Sequence, residues 1–286
     1  MSTHSISELQ PATRAADLET GAVRTGWWLP AYTLWQRELV RFYRQRSRVV
    51  GVIGSPVVFW LLLGAGFGNS FQSKDPLARA GYLQYFFPGT IVLILLFTAI
   101  FTMMSVIEDR KEGFLLSVLV APCPRTSIVL GKVLGGATLA AAQGLLFTAI
   151  APLLGMHLPP LAWLGVAGVL ILVAFALTGA GFLIAWHLDS THAFHAIVNL
   201  FLLPAWLLSG ALFPIAGAAG WVRWLMIVNP LTYGTTALRG ALGWSGLDAA
   251  ARHAALVGVV VMFGFDLLVL AVGMGMVQRE SRRTPR

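Results

Sequence analysis

The chain has 286 residues, of which 57% are hydrophobic and only 11% charged, whereas soluble domains carry about 25% charged residues; a soluble fold is excluded. A formal charge of +8 would suit nucleic acid, but the basic residues gather beside apolar runs, as in membrane proteins, which excludes nucleic acid as the partner. The lone cysteine, Cys123, cannot form an internal disulfide.

Residues 1 to 26 hold no apolar core of a signal peptide and are expected to form a disordered cytoplasmic tail. Next, Tyr32, Trp35, Leu39 and Phe42 recur at helical steps on one face, with Arg37, Arg41, Arg44 and Arg48 nearly opposite. The pattern predicts an amphipathic helix in the membrane interface, aromatic side down and basic side towards lipid phosphates and cytosol. Pro30 suits its first turn. Arg46 falls with the aromatics, so the helix is expected to bend there into the first span. A nucleic-acid-binding or calmodulin-like basic helix is the alternative, disfavoured by the adjoining span.

Six spans follow, at about Val49 to Gly68, Tyr85 to Ile107, Ser127 to Met156, Leu161 to Trp186, Ala193 to Phe213 and His253 to Val277. Each is long enough to cross a hydrocarbon core of about 30 Å. The third and fourth are the clearest. Between Lys132 and Asp189 lie 56 residues without Asp, Glu, Lys or Arg, divided nearly in half by Pro159-Pro160. After Phe213-Pro214 ends the fifth, Ile215 to Val228 is apolar but too short to cross, and Thr232 to Leu242 reads as a second short helix beyond Asn229-Pro230. Trp221, Trp224 and Tyr233 suit headgroup depth, which predicts a non-spanning hairpin entering from outside with its turn buried by protein.

An even number of spans puts both termini on one side. That side holds 15 of the 20 Lys and Arg, and the other holds Lys74, Arg79, Arg223, Arg239 and Arg252, so the termini are expected in the cytoplasm. The predicted fold class is an all-α membrane protein of six transmembrane helices, with an N-terminal amphipathic interfacial helix and an extracellular re-entrant hairpin. It occupies residues 27 to 280, followed by a basic cytoplasmic tail over 281 to 286.

The loop between the second and third spans carries the strongest local signal. It reads Glu108, Asp109, Arg110, Lys111, Glu112, Gly113, then the apolar Phe114, Leu115, Leu116, Ser117, Val118, Leu119, Val120, then Ala121-Pro122-Cys123-Pro124-Arg125. Acidic residues suit the start of a helix and the prolines its end. So greasy a helix, too short to span, either buries in a cleft of another protein or lies flat against its own bundle.

This order, with Gly131-Lys132 opening the next span, resembles the permease subunits of ABC-2-type ABC transporters. The resemblance continues in Ser209-Gly210-Ala211-Leu212-Phe213-Pro214, in Asn229-Pro230-Leu231-Thr232-Tyr233 and in Arg239-Gly240, and is closest to drug-resistance and to capsule or nodulation-factor export permeases. It implies a homodimer of six-span permeases in the bacterial inner membrane, coupled to two ATP-binding subunits. Glu108 to Val120 would be the coupling helix docked in the ATPase, with Glu108, Asp109, Arg110, Lys111, Glu112, Gly113, Phe114, Leu115, Val118 and Leu119 as its contacts. Asp189, Ser190, Thr191 and His192 would form a second contact. The amphipathic segment would be the connecting helix, and Ile215 to Leu242 the extracellular re-entrant hairpin. Asp266 and Cys123 depart from the family pattern.

No cofactor is expected on this chain; ATP and Mg belong to the partner. A Gly-x-x-x-x-Gly-Lys-[Ser/Thr] phosphate loop is absent, because Gly131-Lys132 is followed by Val133 and lacks the upstream glycine. Lys132 is expected to snorkel to the cytoplasmic surface. The function implied is an ATP-driven exporter of an amphipathic, lipid-like or drug-like substrate, or a glycan.

Other residues tempt other readings. His187, His192, His195 and Asp189 could ligate zinc in a membrane metalloenzyme, but no His-Glu-x-x-His is present, and capping of helix ends explains them as well. Asp266, near mid-membrane, could hold a cationic substrate or a proton, as in a proton-coupled secondary transporter, or be a protonated acid bonded to a neighbouring helix. By family analogy the substrate path runs between the first, second and fifth spans at the dimer interface, with Phe59, Trp60, Phe97, Phe101, Phe201 and Trp206 as linings alongside Asp266. Aromatic residues at helical spacing serve packing equally well.

Overall fold

The computed structural model describes residues 26–67, 81–121, 123–243 and 247–283, and these are helical without any strand. Expectations for the N-terminal tail, the first loop and residues 284–286 lie outside the described residues. The helices are α1 (Trp28–Arg44), α2 (Arg46–Phe67), α3 (Tyr82–Lys111), α4 (Phe114–Val120), α5 (Thr126–Thr148), α6 (Pro160–Trp186), α7 (Thr191–Trp206), α8 (Gly220–Val228), α9 (Pro230–Gly243) and α10 (Ala249–Arg283). Six stretches are long and apolar enough to cross a membrane: Val49–Phe67, Tyr82–Lys111, Thr126–Thr148, Pro160–Trp186, Thr191–Ala211 and Ala249–Arg279. The chain is an all-α, multi-pass membrane protein.

The second and sixth spans run up to four residues beyond the expected bounds at each end, and the third and fifth end differently from the sequence reading. α5 ends at Thr148 rather than near Met156, and a 3-10 turn at Ala151–Leu154 follows. Pro152 and the left-handed Gly155 turn the chain there, and Pro160 then starts α6, where a missing N–H costs nothing. The fifth span is α-helical only to Trp206. It continues as a π-turn over Leu207–Ala211 that ends before the expected Phe213.

α3 is the axis of the bundle. Its buried residues occupy every face, from Tyr82 and Tyr85 through Ile94 and Leu95 to Val106 and Ile107. It packs on α2, α5, α6, α7 and the π-turn, while α6 also meets α9 and α10. Outward faces of α2, α6 and α10 carry Val58, Leu62, Leu164, Ile171, Val260 and Phe263, all exposed, as helices facing lipid require. Apolar burial gives no net drive between helices in lipid, so close packing must supply it.

α1 does not merely lie on the surface. Its buried stripe is Ala31, Leu34, Glu38 and Phe42, turned against α5 at Gly131 and Gly135. A Cβ at Gly131 would stand 2.6 Å from that of Leu34, and one at Gly135 2.8 Å from that of Glu38, so only glycine permits this approach. The predicted bend falls at Gln45, where φ −97 and ψ 75 leave the helical region before α2 begins.

Candidate functional site

The tight crossing of α1 over α5 brings six charges together with the end of α3. Lys132 of α5 is only 1% exposed, and its Nζ donates to Glu38 Oε1 at 2.5 Å, to Ser105 Oγ at 3.0 Å and to Asp109 Oδ2. The sequence reading had Lys132 snorkelling to the surface; instead it is buried, because Glu38 and Asp109 offer it two carboxylates. Asp109, wholly buried, also accepts from Arg37 at 2.8 and 2.7 Å and from Arg41 at 2.7 Å. Arg41 donates to Glu108 at 2.6 Å. Hydrogen bonding to Asp109 holds the Arg37 guanidinium above its ordinary pKa.

Three cations thus meet three anions. Burial of ions is tolerated only with such pairing and bonding. Arg37 and Arg41 therefore point into the protein as well as towards solvent, a correction to a basic face directed only at lipid phosphates and cytosol.

The segment Glu108 to Val120 is not one helix. Glu108 to Lys111 form the last turn of α3, and α4 begins after Gly113, whose φ of 75 belongs to the left-handed region. The acids therefore close a helix rather than open one, fixed there by Arg37 and Arg41. Within α4, Leu115 is buried at 4% exposure, whereas Leu116 and Val120 are 63% and 81% exposed. One edge packs on its own bundle, as the flat-lying reading expected, and the other is bare. The Arg37 guanidinium lies 3.8 Å over the Phe114 ring, a cation–π contact that ties α4 to the charge network.

Arg110 leaves in another direction. It donates to Asp189 Oδ1 at 2.9 Å and to the Trp186 carbonyl at 2.5 Å, joining the end of α3 to the α6–α7 turn. The two predicted partner contacts, α4 and Asp189–His192, are therefore neighbours. Asp189 itself is largely exposed. His187 bonds the Leu183 carbonyl through Nδ1, and His195 packs against Phe101 and Phe194. Among the described residues no three His, Cys, Asp or Glu gather to hold a metal.

At the opposite end, the π-turn is caught from two sides. Gly210 has φ 77, and its carbonyl accepts from Tyr85 at 3.0 Å and from Arg239 at 2.6 Å. Tyr82 reaches the Leu212 carbonyl, Trp206 Nε1 donates to the Gly89 carbonyl, and Asn229 donates to that of Ala205. The Asn229 side chain also accepts from the Leu231 amide, capping α9. The Ser209-Gly210 and Asn229-Pro230 motifs, far apart in sequence, are two halves of this latch.

The aromatic residues proposed as a path divide into two sets. Trp60 and Trp206 are core residues, Trp60 packed on Phe87 and Phe147 and donating to the Leu83 carbonyl. Phe59 and Phe201 are exposed, and Phe97 and Phe101 half-buried. Asp266 is 7% exposed on the packed stripe of α10, and its Oδ1 is buried without a hydrogen-bond partner among the described residues.

Sequence reasoning missed the network, although a signal existed. Glu38 is the one acid between residues 30 and 48 and falls on the apolar stripe, while Lys132 is the one charge inside the third span. Two solitary opposite charges on apolar faces ask to be paired.

Comparison with known proteins agrees with this architecture. The family model described as ABC-2 type transporter matches residues 31–242. The chain is 26% identical over 240 residues to “Inner membrane transport permease YadH” of Escherichia coli K12, covering 83% of this chain and 92% of that one. It is 29% identical over 205 residues to “Putative transport permease ycf38” of Cyanophora paradoxa, covering 71% and 70%.

Proposed function

Because the chain belongs to the ABC-2 type transporter family and is a membrane permease subunit of an ABC transporter, we propose that it exports an amphipathic, lipid-like or drug-like substrate, or a glycan, from the cytoplasm. The family pairs with an ATP-binding subunit, and on this reading α4 and the Asp189–His192 turn are where that partner docks. ATP and Mg belong to the partner.

The observation that carries the reading is the bare apolar edge of α4, Leu116 and Val120, held in place by the charge network behind it. A helix so exposed and so firmly anchored suits a contact that must transmit force. The excess of Lys and Arg at this end supports a cytoplasmic position for it, in a bacterial inner membrane like that of the Escherichia coli relative. The exposed aromatic residues Phe59 of α2 and Phe201 of α7 suit pairing with a second copy. Scarcity of charge on the spans supports an amphipathic cargo over a small ion.

Reconstitution tests the reading. In vesicles with its ATP-binding partner, the chain should drive ATP-dependent flux of a labelled lipid or drug towards the α8–α9 side, and alone it should show neither flux nor ATP hydrolysis. ATP-driven transport by the isolated chain would overturn the proposal.

A further inference from the structure

A cleft of about 630 Å³ opens beside α1, lined by Thr33, Gln36, Arg37, Val40, Arg41, Arg44, Gln45 and Glu112. Its position is set by the chain itself. α1 breaks at Gln45 and passes directly into the first span, so its last turn lies at the edge of the hydrocarbon. Exposed Trp27, Trp28, Tyr32 and Tyr43 along the same helix are the residue types of headgroup depth.

The charges of the cleft are not equivalent. Those of Arg37 and Arg41 are matched by Asp109 and Glu108. Arg44 is exposed and makes no ion pair among the described residues. The rim acid, Glu112, is 62% exposed, and its nearest cation, Arg41, stands 3.9 Å away. That leaves an uncommitted guanidinium beside two others whose edges still face the cleft, at one-turn spacing along α1. Opposite in character is Gln45, whose Oε1 is buried with no hydrogen-bond partner among the described residues. An exposed Val40 supplies an apolar patch.

A ligand that satisfies all of this carries an anionic group for the arginines, a hydroxyl donor for Gln45 and an apolar portion for Val40, and is present at the membrane surface. We propose that the cleft binds the headgroup of an anionic phospholipid with a hydroxyl-bearing headgroup, of the phosphatidylglycerol class. The phosphate takes Arg44 with the free edges of Arg41 and Arg37, and the headgroup hydroxyl donates to Gln45 Oε1 once a turn of that side chain brings the oxygen into the cleft it lines. Charge-assisted bonds from a planar guanidinium fork suit phosphate oxygens. Since Arg37 also lies over Phe114, the lipid sits one residue away from α4. The inference needs only that α1 lies at the membrane surface and is independent of cargo and ATP-binding partner.

The test uses the full chain in vesicles of phosphatidylcholine containing about a third phosphatidylglycerol, extracted in mild detergent, with retained lipid counted by native mass spectrometry. The wild type should retain phosphatidylglycerol in preference to phosphatidylcholine. The double variant Arg44→Ala/Gln45→Leu should lower that retention by about tenfold, Arg44→Lys with Gln45 intact should keep most of it, and Arg46→Ala, outside the cleft, should change nothing. Thermal melting checks that each variant is folded.

Equal retention of the two lipids, or full retention by the folded double variant, would overturn the proposal. So would displacement of the lipid by inorganic phosphate at equal concentration, which would mark a site for soluble anions. If the double variant instead loses its ATP-binding partner while keeping its lipid, the cleft is a protein contact and the proposal is wrong.

Discussion

Arg37 of α1 grips the carboxylate of Asp109 at the end of α3 with two hydrogen bonds, 2.8 and 2.7 Å long, although 72 residues separate them. Through this pair the helix before the first span and the helix of the second are held as one body. The same carboxylate is shared with Arg41 and Lys132, so no member can be removed without stranding another.

Lys132→Met should leave Glu38 and Asp109 with one uncompensated charge in a buried site. A loss of about 3–5 kcal/mol is expected, seen as a lowered melting temperature of the purified chain. Glu38→Gln combined with Lys132→Met removes one charge of each sign and should recover a substantial part. Equal destabilisation in single and double variants would show that the pair is not coupled.

Substitutions in α4 should separate docking from folding. Leu116→Asp with Val120→Asp places charge on the bare edge and should abolish co-purification with the ATP-binding partner while the melting temperature holds. Leu115→Asp, on the buried edge, should instead destabilise the chain by at least a few kcal/mol, since a charge cannot be buried unpaired there. Partner binding that survives the first pair would move the docking site elsewhere.

Gly210→Ala should cost about 1–2 kcal/mol, the penalty of a left-handed backbone for a residue with Cβ. Arg239→Met should loosen the same π-turn from the other side without strain. Both are expected to lower transport while co-purification with the ATP-binding partner persists, because the latch lies at the opposite end from α4.

Asp266→Leu should raise stability by about 1 kcal/mol, because it removes a buried oxygen that has no partner and loses no hydrogen bond at that atom. This reverses the sign expected for an acid bonded to a neighbouring helix. Asp266→Asn reports on function: flux of a neutral cargo unchanged between about pH 6 and pH 8 would leave no role for its charge.

Labelling tests the orientation. Cys123 should react with a membrane-permeant thiol reagent and resist an impermeant one in intact cells. In a Cys123→Ser background, Ala216→Cys, exposed at the α8 end, should react with both. The reverse pattern would turn the molecule over.

Hydropathy made the spans legible, since a run such as Val133 to Leu188 has one physical solution in a membrane. Composition also exposed a short apolar helix in the loop after the second span, though not its start at Phe114, and the two short helices that meet at Asn229-Pro230. The charge network was only partly legible: Glu38 and Lys132, each alone on an apolar face, asked for partners. Glu108 and Asp109 stand at a span end, where water normally solvates charge, and nothing local indicates that α1 will fold over them. That cover depends on Gly131 and Gly135, which look like any other glycines of a transmembrane helix until their neighbour is known. The latch at Gly210 was visible as two motifs, but not that they touch.

α3 is a single helix of 30 residues, about 45 Å from end to end. Its lower tip is clamped by Arg37, Arg41 and Lys132 and bolted through Arg110 to the α6–α7 turn; its upper tip carries Tyr82 and Tyr85, the fingers that hold the π-turn. The molecule therefore contains a rod fastened to other elements at both ends. A rock of about 5° at the lower tip would carry the upper one through about 4 Å, more than the full 3.0 Å length of the Tyr85–Gly210 bond. A tilt of that size at the α4 end would therefore unfasten the far side of the bundle.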